Sequence, residues 1–270
     1  MAQTLFITGA STGIGRATAL YFREKGWNVA ATMRNPAPHS EHNDQGIRTF
    51  ALDVTDSATI QPALDGALEA FGHIDVLVNN AGYGAFGPLE AATDEQIDRQ
   101  YATNVTGLIR VTRAFLPHFR ERRTGTIINI SSVGGVATFP FYSLYHGTKW
   151  AVEGFSESLN FELNPLGIRV KLIEPGAIAT DFGGRSLDRM TKAGLDAYDE
   201  TMNKFLAVWH SSRPTSSGEL VAGIIHQAAT DGSDQLRYTA GDDAKMIVDA
   251  RGKISQEQYY GMIRQRLGLS

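Results

Sequence analysis

The stretch "FITGASTGIGRA", residues 6–17, decides how the rest of the chain is read. An apolar run ends at Thr8, glycines stand at 9, 13 and 15, and a helix-forming pattern follows. Two motifs share these letters. Gly9-Ala10-Ser11-Thr12-Gly13 fits G-x-S-x-G, in which a strained strand-to-helix turn exposes a nucleophilic serine. The three glycines equally make a turn that cradles a phosphate. Gly9 allows the tight exit from the strand, Gly13 the close approach of backbone to anion, and Gly15 the close packing of the helix on the sheet. In that second reading a helix beginning near Ile14 points free N–H groups and its positive dipole end at the phosphate, with Ser11 and Thr12 as hydrogen-bond donors.

Position separates the two. A nucleophile elbow follows several strands, and its acid and histidine come later in the chain. Ser11 follows the first apolar run, so no earlier strand and loop supply a second oxyanion donor, and nothing marks His210 or His226 as a general base. The phosphate turn is the better reading, although a glycine motif alone leaves open a bare structural turn.

The surrounding pattern sets the fold class. Short apolar runs at 4–8, 28–33, 48–52, 74–79, 125–131 and 169–175, with a weaker one at 235–239, are rich in β-branched residues and lack polar alternation. Strands covered on both faces have this character. Between them lie helical patterns at 14–25, 57–71, 94–122, 143–164 and 216–229. The alternation predicts an α/β fold, a Rossmann-like doubly wound parallel sheet of about seven strands with helices on both faces. No linker divides the chain, so residues 1–270 are expected to form one dinucleotide-binding catalytic domain. A segment at about 181–213 interrupts the alternation and reads as a substrate-loop insertion. The end, from about 240 to 270, reads as a helical extension with helices at 241–250 and 255–266. His39 and His42 fall in a polar, proline-containing loop and read as solvated rather than metal-binding.

Composition removes several function classes. None of the 270 residues is cysteine, which excludes disulfides, thiolate metal sites and cysteine nucleophiles and suits a reducing cytoplasm. A net charge of −4 offers no footprint for nucleic acid. No apolar run reaches the ~18 residues of a membrane span, and no secretory leader is expected.

The chemistry is expected in "SSVGGVATFPFYSLYHGTK", residues 131–149. Tyr145 and Lys149 lie four apart on a predicted helix, on one face and about 6 Å apart along its axis. An ammonium fixed near the phenol is expected to lower its pKa from about 10 towards neutral, making it a proton-transfer group. Tyr21 and Lys25 repeat the spacing but lie two turns into the first helix and read as structural. Ser132, at the end of a predicted strand and thirteen residues before Tyr145, places the later pair where ligands bind open parallel sheets. Ser131 is its rival for that role, and the spacing favours Ser132.

Six motifs occur in order: T-G-x-x-x-G-I-G at 8–15, N-N-A-G at 79–82, Asn104 in "NVTG", Ser132, Y-x-x-x-K at 145–149 and P-G at 175–176. In this the chain resembles the short-chain dehydrogenase/reductase family in its compact single-domain branch, over roughly residues 4 to 180. The resemblance implies that Tyr145 exchanges a proton with a carbonyl or alcohol oxygen, that Ser132 hydrogen-bonds that oxygen, and that Lys149 holds the nicotinamide ribose and lowers the Tyr145 pKa. It implies that Asn104 holds a water linking Lys149 to solvent. Asn80, Ala81 and Gly82 would line the adenosine side, Asp53 and Val54 would flank the adenine, and Pro175, Gly176, Ile178 and Thr180 would hold the nicotinamide end. Alternatives stand beside these roles: Asn79 in place of Asn80, Asp53 as a helix cap, Asn104 as a helix kink.

An acid at the end of the second strand would bond the ribose 2′-hydroxyl of NAD. Eighteen residues past Gly15 stands Met33, followed by Arg34, which can pair with a 2′-phosphate. NADP(H) is therefore the expected cofactor. Phe139, Phe141, Tyr142, Phe182 and Trp209 suggest an apolar pocket for a ketone, aldehyde or secondary alcohol. The resemblance further implies a homodimer or homotetramer built on the helices at 94–122 and 143–164. Two other functions compete. A catalytically silent nucleotide-binding regulator need not keep the Ser132, Tyr145 and Lys149 set. A sugar-nucleotide epimerase or dehydratase of the extended branch usually carries G-x-x-G-x-x-G and a larger C-terminal domain.

Overall fold

The computed structural model describes residues 2–36, 46–179, 186–211 and 215–268. Seven strands form one parallel sheet: β1 (Thr4–Ile7), β2 (Asn28–Met33), β3 (Arg48–Ala51), β4 (Val76–Asn79), β6 (Gly125–Ile130), β7 (Ile168–Pro175) and β9 (Arg237–Ala240). Their order is β3-β2-β1-β4-β6-β7-β9, which reverses direction at β1. The expected fold class is the observed one. Side chains alternate faces along each strand, yet both faces are apolar because both are covered. Leu5 and Ile7 of β1 join one core cluster, with Phe22, Val221 and Ile225, under helices α1 (Gly13–Glu24) and α7 (Gly218–Thr230). Phe6, between them, joins the opposite cluster, with Leu64, Phe115, Phe119 and Leu159, under α2 (Ile60–Phe71), α4 (Leu108–Arg122) and α5 (Ser143–Leu163).

The pattern at 94–122 predicts one helix, and the structure divides it. Helix α3 (Asp94–Tyr101) opens with a capping box between Thr93 and Gln96. A wider π turn over Ala102–Gly107 then leads into α4. Gly107, at the end of this turn, packs closely on Val54: a Cβ there would come 2.8 Å from the Cβ of Val54. Two strands were not legible in the sequence. β5 (Gly84–Phe86) and β8 (Leu187–Arg189) pair in parallel as a separate small sheet. That pairing straps the inserted segment to the loop beyond β4. The insertion also holds α6 (Asp199–Ser211), whose Phe205 packs against Phe86, Phe141 and Tyr142. Two C-terminal helices follow, α8 (Asp242–Lys253) and α9 (Gln256–Leu267). The Tyr259 hydroxyl of α9 donates to the Thr138 carbonyl at 3.0 Å, so the extension reaches the loop after Ser132. Among the described residues no helix is long and apolar enough to cross a membrane, and no cluster of His and acidic side chains could hold a metal.

Candidate active site

The glycine turn leaves β1 where the strand order reverses, the crevice in which open parallel sheets bind ligands. Gly9 has φ +67°, and a Cβ there would lie 2.8 Å from the Cα of Ala81. Gly13 has φ +58°. Both are backbone conformations that favour glycine. Thr12, at the N-cap of α1, is extended and makes no side-chain cap bond, and the first turn of the helix carries no acid. The helix N-terminus thus carries no side-chain cap.

The two asparagines after β4 take different tasks. Asn80 donates from its amide to the carbonyls of Thr8 (2.9 Å) and Gly9 (3.0 Å), and the Thr8 hydroxyl accepts the Asn80 and Ala81 N–H groups at 3.0 and 3.1 Å. It fastens the glycine turn to the end of β4. Asn79 points into the core, where it donates to Thr112 Oγ1 (2.9 Å) and Asn129 Oδ1 (2.8 Å). Gly15 lies against the Gly9 carbonyl and the Asn80 side chain, so it packs the helix on the turn.

A cavity of about 1130 Å³ runs from this turn to helix α5. Gly9, Ser11, Thr12, Gly13 and Ile14 form one end, with Arg34, Asp53, Val54, Asn80, Ala81 and Gly82 beside them. Ser132, Tyr145 and Lys149 stand at the far end, and Pro175, Gly176 and Ile178 close the side. Residues scattered over the sequence therefore meet in one space. Gly15 and Asn104 are outside its walls, and Thr180 and Phe182 lie outside the described residues, as do the side chains of Trp209 and His210. Asp53 is turned inward on its own loop, accepting from the N–H and hydroxyl of Thr55 at 2.9 and 2.7 Å, while Asp56 caps the short turn that follows. Arg34 is exposed at the cavity's edge immediately after β2.

The Ser132 side chain favours the ionised form of the Tyr145 phenol beside it. Ser131, its rival, has a buried hydroxyl with no hydrogen-bond partner, next to Gly135. Lys149 donates from Nζ to the Ile130 carbonyl at 2.8 Å and lies 5.7 Å from the centre of the Tyr145 ring. The electrostatics correct the expected direction. Burial pushes the Tyr145 phenol up to about 12, with Ser132 pulling the other way. Burial also brings Lys149 down to about 8, against the charge of Glu153. Desolvation penalises the charged form of each group and is the leading cause of both shifts. In the free protein Tyr145 is a protonated acid.

Asn104 is held by protein partners. Its Oδ1 accepts the Tyr83 N–H at 3.1 Å, and its amide donates to the Tyr83 carbonyl (2.9 Å) and Thr148 Oγ1 (3.1 Å). Both amide N–H groups and one acceptor site of Oδ1 are engaged by protein. Phe139 and Tyr142 line the cavity, whereas Phe141 packs away from it against Phe86 and Phe205. Tyr21 and Lys25 form a local cation–π contact, and His226 meets the Tyr21 and Phe22 rings edge-on, both structural. At the cavity mouth Asp188 is ion-paired with Arg99 and accepts from Gln96 at 2.8 Å, while Arg99 reaches the Tyr83 hydroxyl at 3.3 Å. Nothing local in the sequence signals this group, because α3 and β8 supply its members from distant parts of the chain. His146, beside Tyr145, has no motif either and is found only from its contacts.

The short chain dehydrogenase family model matches residues 3–190. The chain is 39% identical over 230 residues to an uncharacterized oxidoreductase of Schizosaccharomyces pombe, covering 83% of this chain and 94% of the relative. It is 37% identical over 228 residues to a 3-ketodihydrosphingosine reductase of Bacteroides thetaiotaomicron, covering 83% of each. Among solved structures, a short-chain dehydrogenase from Streptomyces avermitilis matches with a TM-score of 0.81 at 31% identity, over 100% of this chain and 98% of that one. ElxO with NADP bound matches at 0.72 and 26%, over 89% and 97%. A 3-ketoacyl-(acyl-carrier-protein) reductase from Brucella melitensis complexed with NADH matches at 0.76 and 25%, over 90% and 98%. The chain belongs to the short chain dehydrogenase family and is an oxidoreductase of that type.

Proposed function

We propose that this protein is an NADP(H)-dependent oxidoreductase that interconverts a carbonyl and an alcohol, with Tyr145 as the acid and base. The observation that carries the reading is the convergence of an uncapped helix end behind a glycine turn and the Ser132, Tyr145 and Lys149 side chains on the walls of one cavity. A dinucleotide suits these residues: the turn offers N–H donors to phosphates at one end, and Lys149 and Tyr145 offer polar atoms at the other. A bound nicotinamide supplies hydride chemistry. Ser132 holds the substrate oxygen, and Tyr145, protonated when buried, gives its proton to that oxygen as charge develops there. The free protein is thus poised for reduction. Alcohol oxidation needs the phenolate, which burial opposes, and a positive group closer to Tyr145 would have to restore it.

Two features support NADP over NAD. Met33 stands where an acid would hold the ribose 2′-hydroxyl, and Arg34 follows it at the cavity's edge. One structural neighbour holds NADP and another NADH, so the choice rests on this chain's own residues. Phe139, Tyr142 and Leu187 in the cavity wall support an apolar ketone, aldehyde or secondary alcohol, and a relative named as a reductase of a 3-keto compound agrees. The reading takes the whole chain as one catalytic domain in the cytoplasm. It includes a homodimer or homotetramer, supported by Trp150 and Phe161, which α5 leaves exposed. The test is a panel of carbonyls and alcohols assayed with NADPH and NADH, for wild type and Arg34→Ala. Turnover with NADPH preferred, and a preference reduced by about tenfold or more in the variant, is expected from loss of a charge-assisted contact. An unchanged coenzyme ratio contradicts the NADP assignment, and no turnover on any member contradicts the enzyme reading.

A further inference from the structure

His146 is buried beside Tyr145, and both of its ring nitrogens are engaged by the loop that follows Ser132. Nδ1 lies 2.9 Å from the Gly134 carbonyl, and Nε2 lies 2.9 Å from the backbone nitrogen of Phe139. These partners fix the tautomer. A carbonyl only accepts and an N–H only donates, so Nδ1 carries the proton and Nε2 is bare. The contact is close: a Cβ on Gly134 would meet Nδ1 at 2.8 Å and the Tyr145 ring at 3.3 Å. The same loop begins at Ser132, whose hydroxyl accepts the Gly134 N–H at 3.0 Å and whose carbonyl accepts the Gly135 N–H at 2.8 Å. One imidazole therefore bolts the segment carrying Ser132 to the helix carrying Tyr145.

We propose that His146 is a positioning residue whose neutral ring sets the Ser132–Tyr145 geometry, and that a proton on Nε2 releases it by opposing one donor to another at Phe139. The proposal rests on the reading of Ser132 and Tyr145 as the reacting pair. A path for the proton exists. A second cavity of about 430 Å³, lined by Phe139, Pro140 and Trp150, has His146 in its wall, and His146 also lines the first cavity. Burial holds the His146 pKa below the ordinary histidine value, so the clamp stays closed at neutral pH. Few other titrating groups face it. From α5 and its N-cap come Tyr142 and Tyr145, each with its ring centre 6.0 Å away, and Lys149, occupied by Ile130. Residues 133–139 carry no ionisable side chain. Beyond the loop stand Glu153 beside Gly135, and Tyr259 on Thr138 with Arg251 over its ring.

Two measurements test this. Nitrogen NMR of histidine-labelled protein, with the His146 signals assigned by their loss in His146→Gln, should show the neutral Nδ1–H tautomer, titrating below about pH 6.5. In the NADPH carbonyl assay, wild-type kcat should fall as pH drops through that midpoint. His146→Gln, which keeps an acceptor but cannot titrate, should retain a kcat within about fivefold of wild type and lose that limb. His146→Phe should lower kcat by about tenfold or more at every pH, with the nucleotide KM nearly unchanged, as expected for misplaced reacting groups. Glu174→Gln, which removes another group titrating near neutrality, should leave the limb in place. An Nε2–H tautomer, a limb that survives in His146→Gln, or full activity in His146→Phe would overturn the proposal. If no carbonyl turns over, the functional reading fails, while NMR still decides the clamp.

Discussion

Tyr145 shows what a motif conveys and what it omits. Its spacing from Lys149 and Ser132 was legible in the sequence, and the structure places all three on one cavity wall. The direction of its pKa was not legible, because spacing is silent on burial. Lys149 sits 5.7 Å from the ring centre with its proton on a carbonyl, while loss of water acts on the whole phenol. Absorbance titration of the ligand-free protein, taken as wild type minus Tyr145→Phe, should therefore show no phenolate from Tyr145 below about pH 10. An ionisation with a midpoint under pH 9 would contradict the burial argument. Asn79 and Asn80 teach the same lesson. The N-N-A-G letters cannot say which side chain faces the core, whereas the partners decide it: Asn79, at the end of β4, bonds Thr112 and Asn129, and Asn80, beyond the strand, bonds the glycine turn.

At the scale of elements, the strand and helix pattern carried the main sheet because each segment's periodicity is local. The wide turn at Ala102–Gly107 and the β5–β8 pair were hidden because tertiary contacts create them. Three residues per strand, drawn from segments a hundred residues apart, leave no periodic trace. The glycine turn, by contrast, was readable residue by residue. Gly13 has φ +58° at the start of α1, where an L side chain costs roughly 1–2 kcal/mol. Gly13→Ala should lower Tm by about 2–8 °C, and should weaken NADPH binding by about tenfold or more by crowding the N–H cradle. Wild-type affinity in a folded Gly13→Ala protein, measured by calorimetry, would show that the turn does not hold the phosphates.

The whole molecule carries a partly buried charge arrangement that no motif announced. Arg237 of β9 reaches Glu153 (3.0 Å) and Glu157 (2.6 Å) of α5 and lies 3.6 Å from Glu174 of β7. Burial, and then the Glu153 charge, push Glu174 up to about 7, with Arg237 opposing. The native state thus keeps a proton that the unfolded chain releases near its ordinary value of 4.5. Stability from this group is complete below that value and is lost as pH rises through about 7. Denaturant unfolding should show wild type losing stability relative to Glu174→Gln between about pH 5 and 8, by on the order of 1–3 kcal/mol. A difference that does not vary with pH would contradict it. The central claim concerns the site this scaffold holds: a protonated Tyr145 delivers the proton in carbonyl reduction. The most direct measurement is single-turnover reduction of a responsive carbonyl by NADPH in Tyr145→Phe, with nucleotide binding measured alongside. Loss of about 10²–10⁴-fold in rate with binding retained is the predicted result. Reduction at the wild-type rate would contradict the account.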